Sequence, residues 1–318
     1  MRRNKRIESM LDQAEKNGEC LPCRDNPAYR ALQRRASRNE LLSPYPCVFV
    51  RQEFWNGLDP SRQDLALVKA LSILHENWTF TGVSAANIHG LDHSHALHRR
   101  HNIYIVSTSG NSTGQHDKLK RLYIRKPHVI AIQGVKVTDI PQTLISMALT
   151  HSFCEALPVF DAAARSGTTK SDILKACKNM RVDKTDINRL ISLMNPLSEN
   201  SGESLARATM IELGFVVPRL QVPFRNPDPN HQPYRADFTW QLPGNRCVVA
   251  EYDGMQKYVM QSGFSRSTIE NKVHEQLRRE TDLKAQGADL IVRFQYEDLL
   301  HPQRLEAKLD AAGIPKRT

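Results

Sequence analysis

Hydrophobic and polar positions along this chain change period several times, and each change predicts an element. In Arg3–Lys16, Ile7, Met10, Leu11 and Ala14 fall on one helical face. Asn26-Pro27 is a helix-start signal, and an arginine-rich helix is expected over Ala28–Arg38. Leu41–Val50 reads as a turn and a strand. Further helices are expected over Ser61–Glu76, from Pro141 to Leu149, over Phe153–Arg165 and over Glu203–Leu213, the last closed by Gly214. Short apolar runs at Asn102–Val106, Leu122–Ile124, Val129–Ile132, Gly134–Thr138, Phe215–Val222, Tyr234–Trp240 and Val248–Glu251 read as strands. Pro218 argues for an edge strand or a break in its run. Thr168–Met194 reads as a connector with two short helices, and Pro196–Ser201 as a boundary. No internal repeat interrupts this order. The pattern predicts an α/β multi-domain chain divided at 1–58, 59–195 and 196–318.

Helix, arginine-rich helix and strand pair, in that order, are what a winged helix-turn-helix needs over residues 1–58. A recognition helix must offer donors to base edges and phosphates, which suits Arg30, Arg34, Arg35 and Arg38. The alternative is a cap that packs on the next domain. Charge favours nucleic acid: the formal net charge is +10 and the pI about 9.4. Seven lysines or arginines stand against one acid, Asp117, between His95 and Lys126. With 318 residues, 25% charged and 40% apolar, the chain has the composition of a soluble globular protein of two or three domains. No apolar run approaches a membrane span, and no apolar signal-peptide core follows the basic start, so a cytoplasmic location is expected.

Six scattered cysteines are expected to be reduced thiols. Cys20-Leu-Pro-Cys23 has the spacing of a zinc or redox motif, but only Cys47 could join it, and ordinary buried thiols are expected. His89, His93, His95, His98 and His101 crowd one segment with Asp92 at irregular spacing; a basic, solvated loop is expected there.

Ser84-Ala85-Ala86 with His89-Gly90-Leu91, then Gly134-Val-Lys-Val-Thr138, then Asp161-Ala162-Ala163, resemble successive signatures of the AbiEi-type antitoxin family. The resemblance covers roughly the first 180 residues. It implies an N-terminal winged helix, an α+β middle domain, DNA binding and autoregulation, with a toxin or a defence protein as a possible partner.

The C-terminal third carries the chemistry. Tyr234–Trp240 and Arg246–Gly254 are two strand-like runs joined through Pro243-Gly244-Asn245, and each delivers a carboxylate. Alternation makes Arg235, Asp237 and Thr239 face one way, and makes Val249, Glu251 and Asp253 share a face, so in a hairpin Asp237 and Glu251 can meet on one side of the sheet. Glu203, from the preceding helix, can join them directly or through water, and shares a helix face with Arg207. Carboxylates converging on Mg²⁺ or Mn²⁺ can neutralise a phosphodiester and activate water. The alternative is a pair of exposed strand-end carboxylates and a simple Asp253-Gly254 turn.

Glu203, Asp237 and Glu251, on helix, strand and strand, resemble the PD-(D/E)xK nuclease superfamily. Glu251-Tyr252-Asp253-Gly254 with Lys257-Tyr258, then Arg278-Arg279-Glu280-Thr-Asp282-Leu283, Gly287 and Ile291-Val292-Arg293-Phe294, are similar to the very-short-patch-repair-like endonuclease domains. The resemblance covers about residues 200–312. It implies a restriction-endonuclease-like α/β domain, a metal held by Asp237, Glu251 and Glu203, and catalytic roles extending to Asp253 and Lys257. Asp253 stands where the superfamily has its lysine, with Lys257 the nearest substitute, which leaves the ligand set and the water-activating residue open. Arg279 borders this site as a DNA contact; an ion-pair ladder of Glu275, Arg279 and Asp282 is an equal alternative, and Lys272 and Arg278 are candidate backbone contacts. The leading expectation is a metal-dependent DNA endonuclease with a DNA-binding, antitoxin-like N-terminal half. The alternative is a non-catalytic DNA-binding regulator with a nuclease-derived C-terminal domain; a third is a nuclease of defence or repair that works with a partner protein.

Overall fold

The computed structural model describes residues 5–109, 117–178, 180, 182–228, 230–254 and 266–317, with the backbone alone at 26 and 266–273. The chain is mixed α/β and divides into two compact units, 1–151 with 167–192, and 152–166 with 193–318.

The first unit begins with the helix Lys5–Lys16, whose Ile7 and Leu11 are buried one turn apart. They pack with Leu21, Leu32, Leu41 and Phe49 in one apolar cluster. The helix Asn26–Ala36 follows. Its cap is Asp25, one residue ahead of the Asn26 expected from sequence, and Pro27 sits in the first turn. Strands β1 (Leu21–Pro22), β2 (Leu42–Tyr45) and β3 (Val48–Val50) form an antiparallel sheet in the order β1-β3-β2, with β2 and β3 paired as a hairpin. Arg51 reaches Glu8 and Glu15 at 2.7 Å and Asp12 at 2.8 Å, all on the first helix.

The rest of this unit is built on the helix Pro60–Leu74, started by Asp59, which accepts a hydrogen bond from Arg62 N. Strands β4 (Ile103–Ser107) and β5 (Leu119–Tyr123) pair in parallel, and β6 (Val129–Ile132) and β7 (Val135–Thr138) pair as a hairpin. Phe80, fully buried, bridges to Ile105 on one ladder and Val137 on the other. The helix Ile140–Thr150 closes this core, and Thr81, Thr138, Thr143 and Ser146 satisfy one another's buried hydroxyls. The helices Lys170–Cys177 and Thr185–Leu193 complete the unit.

Two expectations about side chains have different outcomes here. Cys20 and Cys23 are buried free thiols, as the spacing argument anticipated, and burial pushes the Cys20 thiol up to about 12, which makes it inert. The histidine segment is not a solvated loop: His93 and His98 are buried, His93 bonded to His98 and His98 to Asp64. Sequence spacing missed this because Asp64 lies on a helix some thirty residues earlier.

The second unit is a four-stranded sheet between helices. Strands β8 (Arg219–Phe224), β9 (Tyr234–Leu242) and β10 (Arg246–Asp253) form an antiparallel meander; β11 (Leu290–Gln295) lies parallel to β10, after the helix Arg266–Ala285. The order is β11-β10-β9-β8, so β8, with Pro223 within it and Pro218 just before it, is an edge strand. Phe238, Trp240, Val248, Ala250 and Phe294 pack with Ala206, Met210, Leu305 and Leu309 of the helices Ser201–Glu212 and Pro302–Ala311. Ala236 and Val249 pack instead with Leu283 and Ala288. Ala236 and Phe238 thus join different clusters although two residues apart, and the alternation expected through Asp237 slips there. The helix Phe153–Arg165 also belongs to this unit, tied to Ser201–Glu212 by Asp161 and Arg207. No helix among the described residues is long and apolar enough to cross a membrane.

Candidate active site in the C-terminal unit

Glu203 is the third residue of its helix, where a carboxylate meets unpaired backbone N–H groups and the positive end of the dipole. Asn200 caps this helix, its Oδ1 accepting from Glu203 N at 2.9 Å while its Nδ2 donates to Glu203 Oε1 at 2.7 Å. Glu199 N donates to Glu203 Oε2 at 2.8 Å. The side chain is therefore fixed by its own helix start. Gly202 beside it has a steric reason: an added Cβ would stand 2.4 Å from Tyr252 Cε1, so only glycine lets the Tyr252 ring lie over the helix start.

Gln221 joins the helix to the sheet. Its backbone is left-handed, with φ of 50°, in the middle of a strand. Such a conformation costs a non-glycine residue on the order of 1–3 kcal/mol and is retained where surrounding contacts demand it. From this kink Gln221 Nε2 donates to Glu203 Oε2 at 3.2 Å and Asp237 Oδ1 at 3.4 Å. Asp237 Oδ2 accepts from Tyr252 N at 2.9 Å, capping the ladder where β9 and β10 part. Burial pushes the Glu203 carboxyl up to about 7, and the nearby Asp237 and Glu199 charges push the same way against its hydrogen bonds.

Glu251 has different company. Its Oε1 accepts from Arg279 Nε at 3.0 Å and Nη2 at 2.7 Å. Its partner in the parallel ladder is Arg293, whose Nη2 lies 3.1 Å from Glu251 Oε2 but without hydrogen-bond geometry. Arg293 Nη1 is 3.6 Å from Asp253 Oδ1. Arg279 also donates to Arg235 O and covers the Tyr234 ring, and Tyr234 donates its hydroxyl to Asp282. Of the ion-pair ladder weighed from sequence, Arg279 reaches inward to Glu251, Asp282 takes Tyr234, and Glu275 is exposed.

The ligand set named from sequence is thus split. Glu203 and Asp237 share one amide, whereas Glu251 and Asp253 are matched to arginines. Among the described residues no three acid, histidine or cysteine side chains converge as a ready metal site. Glu203 and Asp237 nonetheless fit a hard cation: both are oxygen donors, and the Asp237 charge raises the cost of ionising Glu203. Lys257 lies outside the described residues, as does the side chain of Lys272. Arg207, one turn along the same helix from Glu203, pairs with Asp161.

In the first unit, Arg30, Arg34 and Arg38 are exposed on or just after the helix Asn26–Ala36. Arg35 is turned to Glu8 at 2.9 Å and Glu40 at 3.1 Å. Gln221, Arg293 and the Tyr252–Gly202 contact were not singled out from sequence as site features. The one available signal was a polar glutamine in an apolar strand run, close to a helix carboxylate.

No protein-family model, no curated protein and no solved structure matches the chain.

Proposed function

We propose that the C-terminal unit is a divalent-metal-dependent DNA endonuclease of the PD-(D/E)xK type, carried with a winged-helix DNA-binding segment and an AbiEi-like α+β region. One observation carries the reading. A helix, an antiparallel meander of three strands, a second helix and a parallel fourth strand bring Glu203 and Asp237 to the same amide nitrogen of Gln221, with Glu251 on the neighbouring strand. Mg²⁺ or Mn²⁺ held by Glu203 and Asp237 would neutralise phosphate charge and supply an activated water. The protein's own contribution is orientation. Asn200 and Glu199 N fix Glu203, Tyr252 N fixes Asp237, and Gln221 keeps the two side by side. Arg279 and Arg293, which neutralise Glu251, are cations for which a phosphodiester would compete, and Glu251 freed from them would be available as a further oxygen ligand beside Glu203 and Asp237.

The same Glu251–arginine pairing, with Asp253 at the lysine position, favours a second reading. There the unit is a nuclease-derived, non-catalytic part of a DNA-binding regulator, with a toxin or defence protein as its partner. Cleavage separates the two. Wild type, Asp237→Ala and Glu251→Gln are incubated with supercoiled DNA, linear DNA and RNA in Mg²⁺, Mn²⁺ or EDTA. Metal-dependent cutting that falls by about two orders of magnitude or more in both variants supports the enzyme, in line with losing preorganised charge at a reacting phosphate. Equal background in all three proteins removes it.

For the winged helix, Arg30→Ala with Arg34→Ala is expected to weaken DNA binding and to lower the salt slope by about one unit for each phosphate no longer neutralised. Arg35→Ala is expected to act on stability instead, because Arg35 holds Glu8 and Glu40. A salt titration with the same slope in the double variant as in wild type removes this interface.

A further inference from the structure

Buried in the first unit, well away in sequence from any of these carboxylates, four side chains form an unbroken chain of hydrogen bonds. His93 Nδ1 is 2.5 Å from Leu91 O, and His93 Nε2 is 2.7 Å from His98 Nε2. His98 Nδ1 is 2.7 Å from Asp64 Oδ2, and His101 Nδ1 is 2.5 Å from Asp64 Oδ1. His98 is fully buried, His93 and Asp64 nearly so.

Counting protons along this chain gives a result that neither residue type alone suggests. The Leu91 carbonyl can only accept, so His93 Nδ1 must carry a hydrogen. One hydrogen must lie between the two Nε2 atoms. One more must lie between His98 Nδ1 and the Asp64 carboxylate. Three hydrogens are needed, and two neutral imidazoles beside an ionised aspartate supply only two. We infer that His93, His98 and Asp64 hold one extra proton in the folded protein, and that this proton locks the segment from Leu91 to His101 onto the helix Pro60–Leu74.

Taking the proton away forfeits one of the three bonds, in a site where water cannot replace it. The surroundings favour keeping it near Asp64. Burial and the neighbouring His98 charge hold His93 down, to about 4, so His93 is the acceptor of the pair. Asp92 opposes that effect and His95 adds to it. His101 needs no extra proton, because its neutral form with hydrogen on Nδ1 satisfies Asp64, and its ring packs against Trp55 at 5.3 Å between centroids. His95 lies outside the chain, 3.9 Å from Asp59. Arg99 and Arg100 at the end of the locked segment are exposed. The device therefore fixes the position of two surface cations by a proton held out of sight of solvent.

In the unfolded chain His93 and His98 are neutral above about pH 6.5 and the aspartate is ionised. By the proton count the folded chain then holds one proton more than the unfolded chain, so the lock contributes less as pH rises. Below about pH 6.5 the unfolded histidines take up two protons against one in the fold, so the lock weakens again.

The test is a long-range ¹H–¹⁵N correlation spectrum of the full chain with ¹⁵N-histidine at pH 8, for wild type, His93→Gln and His101→Gln. A glutamine at 93 can donate to His98 Nε2, which removes the need for the extra proton without emptying the site. The expected result is one more proton on the His93–His98 pair than two neutral rings hold, seen as a doubly protonated ring or as a proton shared with Asp64. That signal is kept in His101→Gln and lost in His93→Gln. Across pH 7 to 9 the open population of the segment, read by hydrogen exchange, rises up to tenfold per unit in wild type and stays flat in His93→Gln. Two neutral rings at pH 8 beside an ionised aspartate would overturn the inference. So would nitrogen shifts that change on adding EDTA, since a metal would then stand where the proton is assigned.

Discussion

Asp161→Ala is expected to destabilise the C-terminal unit by about 3–5 kcal/mol, the range for removing one partner of a buried ion pair. Asp161 is completely buried and Arg207 nearly so, and Arg207 Nη2 lies 2.8 Å from both carboxylate oxygens. The rest of the guanidinium has little alternative: Nη1 donates to Leu193 O at 2.8 Å, and Nε has no hydrogen-bond partner. Asp161 Oδ1 also accepts from Asn195 N at 2.8 Å, so the variant orphans a backbone group as well. Urea unfolding followed by Trp240, the tryptophan of this unit, reads the loss. The control is Asp161→Leu with Arg207→Met. If the cost comes from the unpaired charge, this apolar pair recovers most of it. A loss below about 1 kcal/mol in Asp161→Ala would mean the guanidinium finds water, and that the two helices are held by packing alone.

The elements of this chain were legible where they rest on local signals. Ile7 and Leu11 mark a helix by their spacing, Pro27 and Pro141 each fall in the first turn of a helix, and Gly214, at φ of 87°, ends one. Glu203, Asp237 and Glu251 were legible as acids carried by a helix, a strand and a strand, in that order. What they touch was not. Helix geometry sets Arg207 on one face with Glu203, but its partner is 46 residues upstream. Glu251 finds Arg293 through the register of a parallel ladder, and Arg279 through the face of a helix that packs on that sheet. The Gln221 kink breaks the rule on which any strand reading depends, that side chains alternate. The buried histidines were hidden for a related reason: their irregular spacing carries no period, and the residue that organises them lies on another element.

Glu203→Gln is expected to make the metal-free C-terminal unit more stable at pH 8, by up to about 3 kcal/mol. The sign follows from the carboxyl's value of about 7 in the fold against 4.5 for the free group. Its folded-state value is raised, so between those limits the fold holds a proton that the unfolded chain has released. Stability from this group is present at low pH and is lost as pH rises through 7. At about 1.4 kcal/mol per unit, the gap amounts to roughly 3 kcal/mol at pH 8. Glutamine removes the charge, and with it the slope between pH 5 and 7. It keeps one oxygen for Glu199 N or Asn200 Nδ2 but turns an amide toward the other, which returns about 1 kcal/mol of the gain. The measurement is urea unfolding in EDTA at pH 5, 6, 7 and 8. A variant less stable than wild type at pH 8 would mean that the ionised Glu203 is already compensated by its hydrogen bonds. Repeating the series with Mg²⁺ ties the stability effect to the proposed chemistry. A cation between Glu203 and Asp237 stabilises wild type most where Glu203 would otherwise be ionised and uncompensated, and gives the variant much less. Equal Mg²⁺ effects on both proteins would leave the pH dependence standing and remove Glu203 from the metal site.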